Sequence, residues 1–285
     1  MKKIIFTCLI ILINSAAFAA VPAASSTEPV TISAVKSLEW NRKAKTYTAR
    51  QNVIASQGAV NIHSDTLTAH YNDSNGGSDI KTLEAEGHVT INSAPYTATG
   101  DHAVYDVRTG NAVMTGKDLK IVSADSVLTA RDKIEFTGSE NKMTAVGAPV
   151  ATKGADTLTA DTMSAYFTKD DDGKMTADKI SARGHVVIKT ATETAMGDDG
   201  VYDVTSQKAV LTGKVRILQD QNWLEGTRAD VDMDTGISRL SGTGNAATEG
   251  RVTGTFYPQP KDDKSKDDKS KSDKPKDQKP EDQKP

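Results

Sequence analysis

The chain has 285 residues, with 35 Lys and Arg against 38 Asp and Glu. Removing the leader, with Lys2 and Lys3, and a tail holding nine Lys and eight acids leaves 24 basic and 30 acidic residues, a body of net charge −6. That balance argues against nucleic acid as the main partner, because a duplex needs a clustered basic surface. The only cysteine, Cys8, lies in the leader, which excludes a disulfide, a thiol nucleophile or a Cys-based metal site in the remainder.

Met1-Lys2-Lys3, the apolar run from Ile4 to Ile13 and the small-x-small site Ala17-Phe18-Ala19 predict a signal peptide over residues 1–19, cleaved after Ala19 for export to the periplasm. The run is shorter than the ~20 apolar residues that span a bilayer. Residues 20–28, rich in Ala, Ser and Pro, are expected as a disordered lead-in. From there the pattern has period two, in Val30-Thr31-Ile32-Ser33, Val60-Asn61-Ile62-His63 and Val89-Thr90-Ile91-Asn92. Lys133-Ile134-Glu135-Phe136 and Asp230-Val231-Asp232-Met233-Asp234 keep the same parity. Turn signals such as Arg108-Thr109-Gly110-Asn111 and Asp234-Thr235-Gly236 separate these runs, which predicts an all-β chain of antiparallel strands joined by hairpins.

The chain also repeats. Gly100-Asp101-His102-Ala103-Val104-Tyr105-Asp106-Val107 returns 97 residues later as Gly197-Asp198-Asp199-Gly200-Val201-Tyr202-Asp203-Val204, and Gly87-His88-Val89 returns as Gly184-His185-Val186. Asp65-Thr66-Leu67-Thr68-Ala69 recurs as Asp161-Thr162-Met163-Ser164-Ala165 at an offset of 96. A duplicated strand-rich unit implies stacked, similar rungs that share one interior. We divide the body into a first unit, residues 29–150, and a second, residues 151–256. The Lys/Asp/Pro-rich stretch at 257–285 is expected as a disordered tail, since it has too little apolar surface to offset ordering entropy.

Catalytic and metal motifs are sparse. The five histidines read as exposed strand or turn residues, so no metal site is predicted. No Gly-x-Ser-x-Gly elbow occurs, and the carboxylates are scattered over turns rather than paired. Asp170-Asp171-Asp172-Gly173 lacks the spacing of a calcium loop, and no helical pattern follows the lone Gly242-Thr243-Gly244-Asn245-Ala246-Ala247. Neither a cofactor nor an enzymatic activity is expected. What remains is the alternating apolar face, built from medium and small side chains. Parity alone fits either a closed sandwich core, as in an envelope scaffold or interaction module, or two splayed sheets lining a greasy trough.

The exported leader, the opening Pro29-Val30-Thr31-Ile32-Ser33-Ala34, the Asp-x-Leu-x-Ala and Gly-x-Val elements and the Val-Tyr-Asp-Val … Ala-Val-x-Thr-Gly units together resemble the LptA/OstA family of periplasmic lipopolysaccharide transport proteins, over residues 29–242. The resemblance implies an open β-jelly-roll whose interior takes the acyl chains of lipid A. It implies end-to-end stacking between an inner-membrane transporter complex and an outer-membrane barrel, and a possible head-to-tail homo-oligomer. An inner-membrane-anchored relative of the same system is the alternative within the family. Carried onto this sequence, the inward residues are Val30, Ile32, Ile62, Leu67, Ala69, Tyr71, Val89, Ile91, Tyr105, Val107, Ile134 and Phe136, with Asp106 pointing outward. Gln51-Asn52-Val53 stands where the family often has Gly-Asn-Val, so the first turn departs from the family pattern by a side chain in place of glycine.

Overall fold

Alternating apolar and polar residues bury one face only as strands, and the chain is built almost wholly of them. The structure is a computed structural model that describes residues 29–257 except 75–76, 95, 170–174, 233 and 243–249. The predicted leader and lead-in, the tail beyond residue 257, the 170–173 tip and the 243–247 segment lie outside the described residues.

The strands are β1 Thr31–Ser33, β2 Ser37–Asn41, β3 Thr46–Gln57, β4 Val60–Ser74, β5 Gly77–Ser93, β6 Tyr96–Asp106, β7 Asn111–Thr115 and β8 Leu119–Val122. They continue as β9 Ser126–Ala130, β10 Lys133–Thr137, β11 Lys142–Val146, β12 Val150–Lys153, β13 Asp156–Thr159 and β14 Thr162–Lys169. The last six are β15 Met175–Lys189, β16 Glu193–Asp203, β17 Lys208–Gln219, β18 Asn222–Asp232, β19 Ile237–Ser241 and β20 Thr253–Thr255. A 3-10 turn at Gly138–Glu140 is the only helical element among the described residues.

All of the strands join one antiparallel sheet, yet the pairing falls into two lanes. One arm of β3 pairs with β2, from Asn41↔Thr46 to Ser37↔Arg50, and its other arm pairs with β1, from Thr31↔Ser56 to Ser33↔Ile54. Likewise β6 pairs through its C-terminal arm with β7 and through its N-terminal arm with β8. Each traverse of the chain is therefore one bent rung with an arm in each lane. The pairs β7/β8, β9/β10, β11/β12 and β13/β14 are rungs interrupted at the bend. Fourteen such rungs stack among the described residues. β12 pairs with both β9 and β13, so the stack continues unbroken past residue 150. Inward residues of both arms join one core cluster, which makes the two lanes facing walls of a β-jelly-roll.

The bends have a repeating construction. Gly87-His88, Gly184-His185 and Gly147-Ala148 each place two successive residues at positive φ. At Gly87-His88, Gly184-His185 and Gly213-Lys214 the bulged strand spends one residue more than its neighbour. That is a β-bulge with glycine in the left-handed region, which turns a strand without ending it. An aspartate on the preceding rung sits against each glycine: Asp65 at Gly87, Asp101 at Gly116, Asp132 at Gly147, Asp161 at Gly184 and Asp198 at Gly213. A Cβ on any of these glycines would overlap that aspartate. His88 Nδ1 lies 2.8 Å from Asp65, His185 Nδ1 lies 2.9 Å from Asp161, and the Lys117 N–H donates to Asp101 at 3.0 Å. Gln51 and Asn52 keep the same bend, at φ 70° and 46°. Rung one has no aspartate at the matching place, so a side chain is tolerated there; Val35 N–H instead bonds the Gln51 carbonyl at 2.9 Å.

The hairpins along one lane recur too. Asp106 accepts from the Thr109 N–H, Asp203 from the Ser206 N–H and Asp232 from the Thr235 N–H, at 2.8, 2.7 and 2.9 Å. These backbone donors hold all three carboxyls below their usual range. A depressed folded pKa stabilises the fold above the unfolded carboxylate value of about 4, and the gain disappears as pH falls through the folded value. Thermal melts from pH 6 to pH 3 will show a falling Tm, and the Asp106→Asn/Asp203→Asn variant will show a flatter slope. An unchanged slope would remove these turns from the acid response.

Candidate functional site

The bulkiest of the fully buried side chains gather at the bends. The largest side chains below 2% exposure are Val53, Leu67, Val89, Leu119, Pro149, Val186 and Val215, each within three residues of a bend. Because successive residues alternate faces, the residue beside each of these bends points inward and is shut off from water. Farther along the arms burial is mixed, with Ala69, Tyr71 and Phe167 enclosed. Ile62, Ile91, Phe136, Tyr202 and Val204 are only partly buried against the cluster.

Two apolar spaces open there. The first, of about 810 Å³, is lined by Ile62, Leu67, Leu83, Ile91, Met114, Ile121, Ile134 and Phe136 among others. The second, of about 820 Å³, is lined by Leu128, Leu158, Met163, Ile180, Ile188, Tyr202 and Leu211 among others. Both volumes include space open to solvent, and Met143 lines both. The spaces follow one another along the stack and are related by the duplication. Leu67, Leu83, Ile91, Tyr105, Ala112 and Met114 in the first correspond to Met163, Ile180, Ile188, Tyr202, Ala209 and Leu211 in the second. Such surfaces hold a ligand by removing apolar area from water, worth roughly 25 cal/mol per Å².

Six of the predicted inward residues, Ile62, Leu67, Ile91, Tyr105, Ile134 and Phe136, line the first space. Val89, at 1% exposure, lies behind them at the apex. Ala69 and Tyr105 join Leu83 in a smaller cluster on which Ile32 and Val107 pack. Burial pushes the Tyr105 hydroxyl above its ordinary pKa. Tyr71 is buried and accepts a hydrogen bond from Trp40 Nε1–H at 2.8 Å, inside an aromatic group completed by Tyr47. Val30 is half-buried just ahead of β1. Reasoning from single strands missed Met143 and every lining residue of the second space. The 97-residue offset was the available signal for most of the latter.

Polar groups reach the inward face near the hairpin ends. Tyr96 is 2% exposed, and burial pushes its hydroxyl up to about 12. Its counterpart in the duplicated copy is Glu193, 4% exposed, with neither carboxylate oxygen hydrogen-bonded. Among the described residues no helix is long and apolar enough to cross a membrane.

Comparison with known proteins follows the same architecture. The family model described as LptA/(LptD N-terminal domain) LPS transport protein matches twice, over residues 31–142 and 130–237. An uncharacterized protein of Rhizobium meliloti (strain 1021) is 28% identical over 149 residues, which is 50% of this chain and 77% of that protein. The crystal structure of LptH, the LptA homologous periplasmic component of the lipopolysaccharide transport device of Pseudomonas aeruginosa, aligns over 82% of this chain and 99% of its own. That alignment has 14% identity and a TM-score of 0.20, too low to carry an argument. The family matches span most of the chain and fall on the two copies of the bent-rung unit, and the chain belongs to the LptA/LptD N-terminal domain family of lipopolysaccharide transport proteins.

Proposed function

We propose that this chain is a periplasmic lipopolysaccharide carrier, exported by a leader cleaved after Ala19, that shields lipid A acyl chains between its two lanes. The observation that carries the reading is the pair of successive apolar spaces, both lined by Met143, along one stack of rungs. Acyl chains would lie against Ile62, Leu67, Ile91, Tyr105, Ile134 and Phe136 and then against their second-copy counterparts. Phosphates and sugars would stay in water, so an acidic body is no obstacle to an anionic amphiphile. The reaction asks for no catalytic residue or cofactor. Energy would come from the inner-membrane transporter complex, and the protein would bridge to the outer-membrane barrel by end-to-end stacking. Among the described residues β1 and β2 lie at one end of the stack and β19 and β20 at the other, each with an edge free to pair.

Photo-crosslinking to lipopolysaccharide with the probe at Tyr105, Asp106 or Val107 tests the reading. Adducts are expected at Tyr105 and Val107 but not at Asp106, whose carboxylate is held by the Thr109 backbone. If none of the three crosslinks in folded protein, the trough carries no lipid and a closed envelope scaffold becomes the better account.

A further inference from the structure

The outward face of the same sheet carries a cluster that no part of the lipid argument uses. β4, β5 and β6 are neighbours, and their register sets Glu86 directly opposite His102 and Glu84 opposite Val104. Glu84, Glu86 and His102 offer ligand atoms that all lie within 4.8 Å of one another. His102 Nε2 stands 2.9 Å from one Glu84 oxygen, and His70 Nε2, on the far side, stands 3.6 Å from the other. We propose that His102, Glu84 and Glu86, with His70 as a fourth ligand, form a binding site for a zinc-class divalent transition metal on the outer wall of the first half of the stack.

Three features carry this beyond a set of surface ion pairs, which contribute little by themselves. First, two glutamates two residues apart share one strand face, an arrangement of like charges that a cation relieves. Second, the donors are two imidazole nitrogens and two carboxylates. That set suits Zn²⁺ and its neighbours in the Irving–Williams order; Ca²⁺ and Mg²⁺ take oxygen ligands instead. Third, the duplicated copy provides an internal comparison. The positions of His70, Glu84, Glu86 and His102 become Tyr166, Ser181, Arg183 and Asp199, on strands that keep the same pairing. There Lys142 and Lys179 lie over the Tyr166 ring, at 5.5 and 5.9 Å. Three of the four donors are gone and cations occupy the neighbourhood, so the fold does not require the cluster.

Such a metal would tie three adjacent rungs together from outside, on the opposite face of the sheet from the apolar space. The test is calorimetric titration of ZnCl₂ into chelator-treated full chain, with the visible spectrum of the Co²⁺ form as a second readout. One saturable site is expected, together with ligand-field bands of a nitrogen and oxygen donor set. Glu84→Ser and His102→Ala each weaken it at least tenfold, whereas His63→Ala, an exposed residue elsewhere on β4, leaves it unchanged. Ser stands at the matching place in the second copy, so Glu84→Ser is compatible with folding, and circular dichroism of both variants checks this. Absence of saturable uptake, or equal uptake in wild type and both variants, overturns the site and assigns any binding to the acidic residues of the tail.

Discussion

Gly116→Ala lowers the unfolding free energy by about 4 kcal/mol, whereas Gly154→Ala costs about 1 kcal/mol. Both glycines have positive φ, 145° and 58°, so backbone preference penalises a side chain at each. They differ in what the new methyl group meets. At Gly154, in the β12–β13 hairpin, nothing lies within 4 Å of an added Cβ. At Gly116 the Cβ would stand 2.5 Å from the Asp101 backbone nitrogen and 2.9 Å from its Cβ. A backbone atom in a paired rung cannot swing away as the end of a side chain can, so the overlap forces neighbouring rungs apart. For a chain of this size the difference corresponds to a Tm drop of about 10 °C for Gly116→Ala. Equal losses at the two sites would show that left-handed φ alone matters and that the Asp–Gly stack contributes nothing.

Much of the wall was legible in the sequence because period-two burial depends only on local alternation. Leu67, Tyr105, Ile134 and Phe136 were placed inward from their parity and the family resemblance, and each lines the first space. The Asp–Gly stack was not legible. Its partners stand fifteen residues apart at 101/116, 132/147 and 198/213, but farther apart at 65/87 and 161/184, because the longer traverses carry extra residues. Aspartate and glycine are also ordinary turn residues, so nothing marks them singly. The His70, Glu84, Glu86 and His102 cluster was hidden for a related reason. Its members come from three strands, and only the register, fixed by the bulge at Gly87-His88, brings them to one face. The two apolar spaces depend on how far the lanes diverge beyond the apex, and alternation says nothing about that distance.

For the lipid carrier proposed above, Met143→Trp is expected to weaken lipopolysaccharide binding by about a hundredfold while leaving the protein folded. Met143 is 8% exposed, sits on β11 between Phe136 and Ala165, and is the one inward side chain that lines both apolar spaces. An indole there extends into space that already exists, so the cost in stability stays near the 1–3 kcal/mol of ordinary overpacking. The consequence for a ligand is larger. An acyl chain passing from one space to the other would lose three or four buried methylenes at about 0.8 kcal/mol each, close to 3 kcal/mol in all. That converts to the expected hundredfold at 1.4 kcal/mol per decade. Equilibrium binding of fluorescent lipopolysaccharide, with a thermal melt to establish folding, gives the measurement. A folded variant that binds within threefold of wild type would mean that each space takes its own lipid without sharing the join. The two copies would then be separate sites in one stack, and Met143 a partition between them.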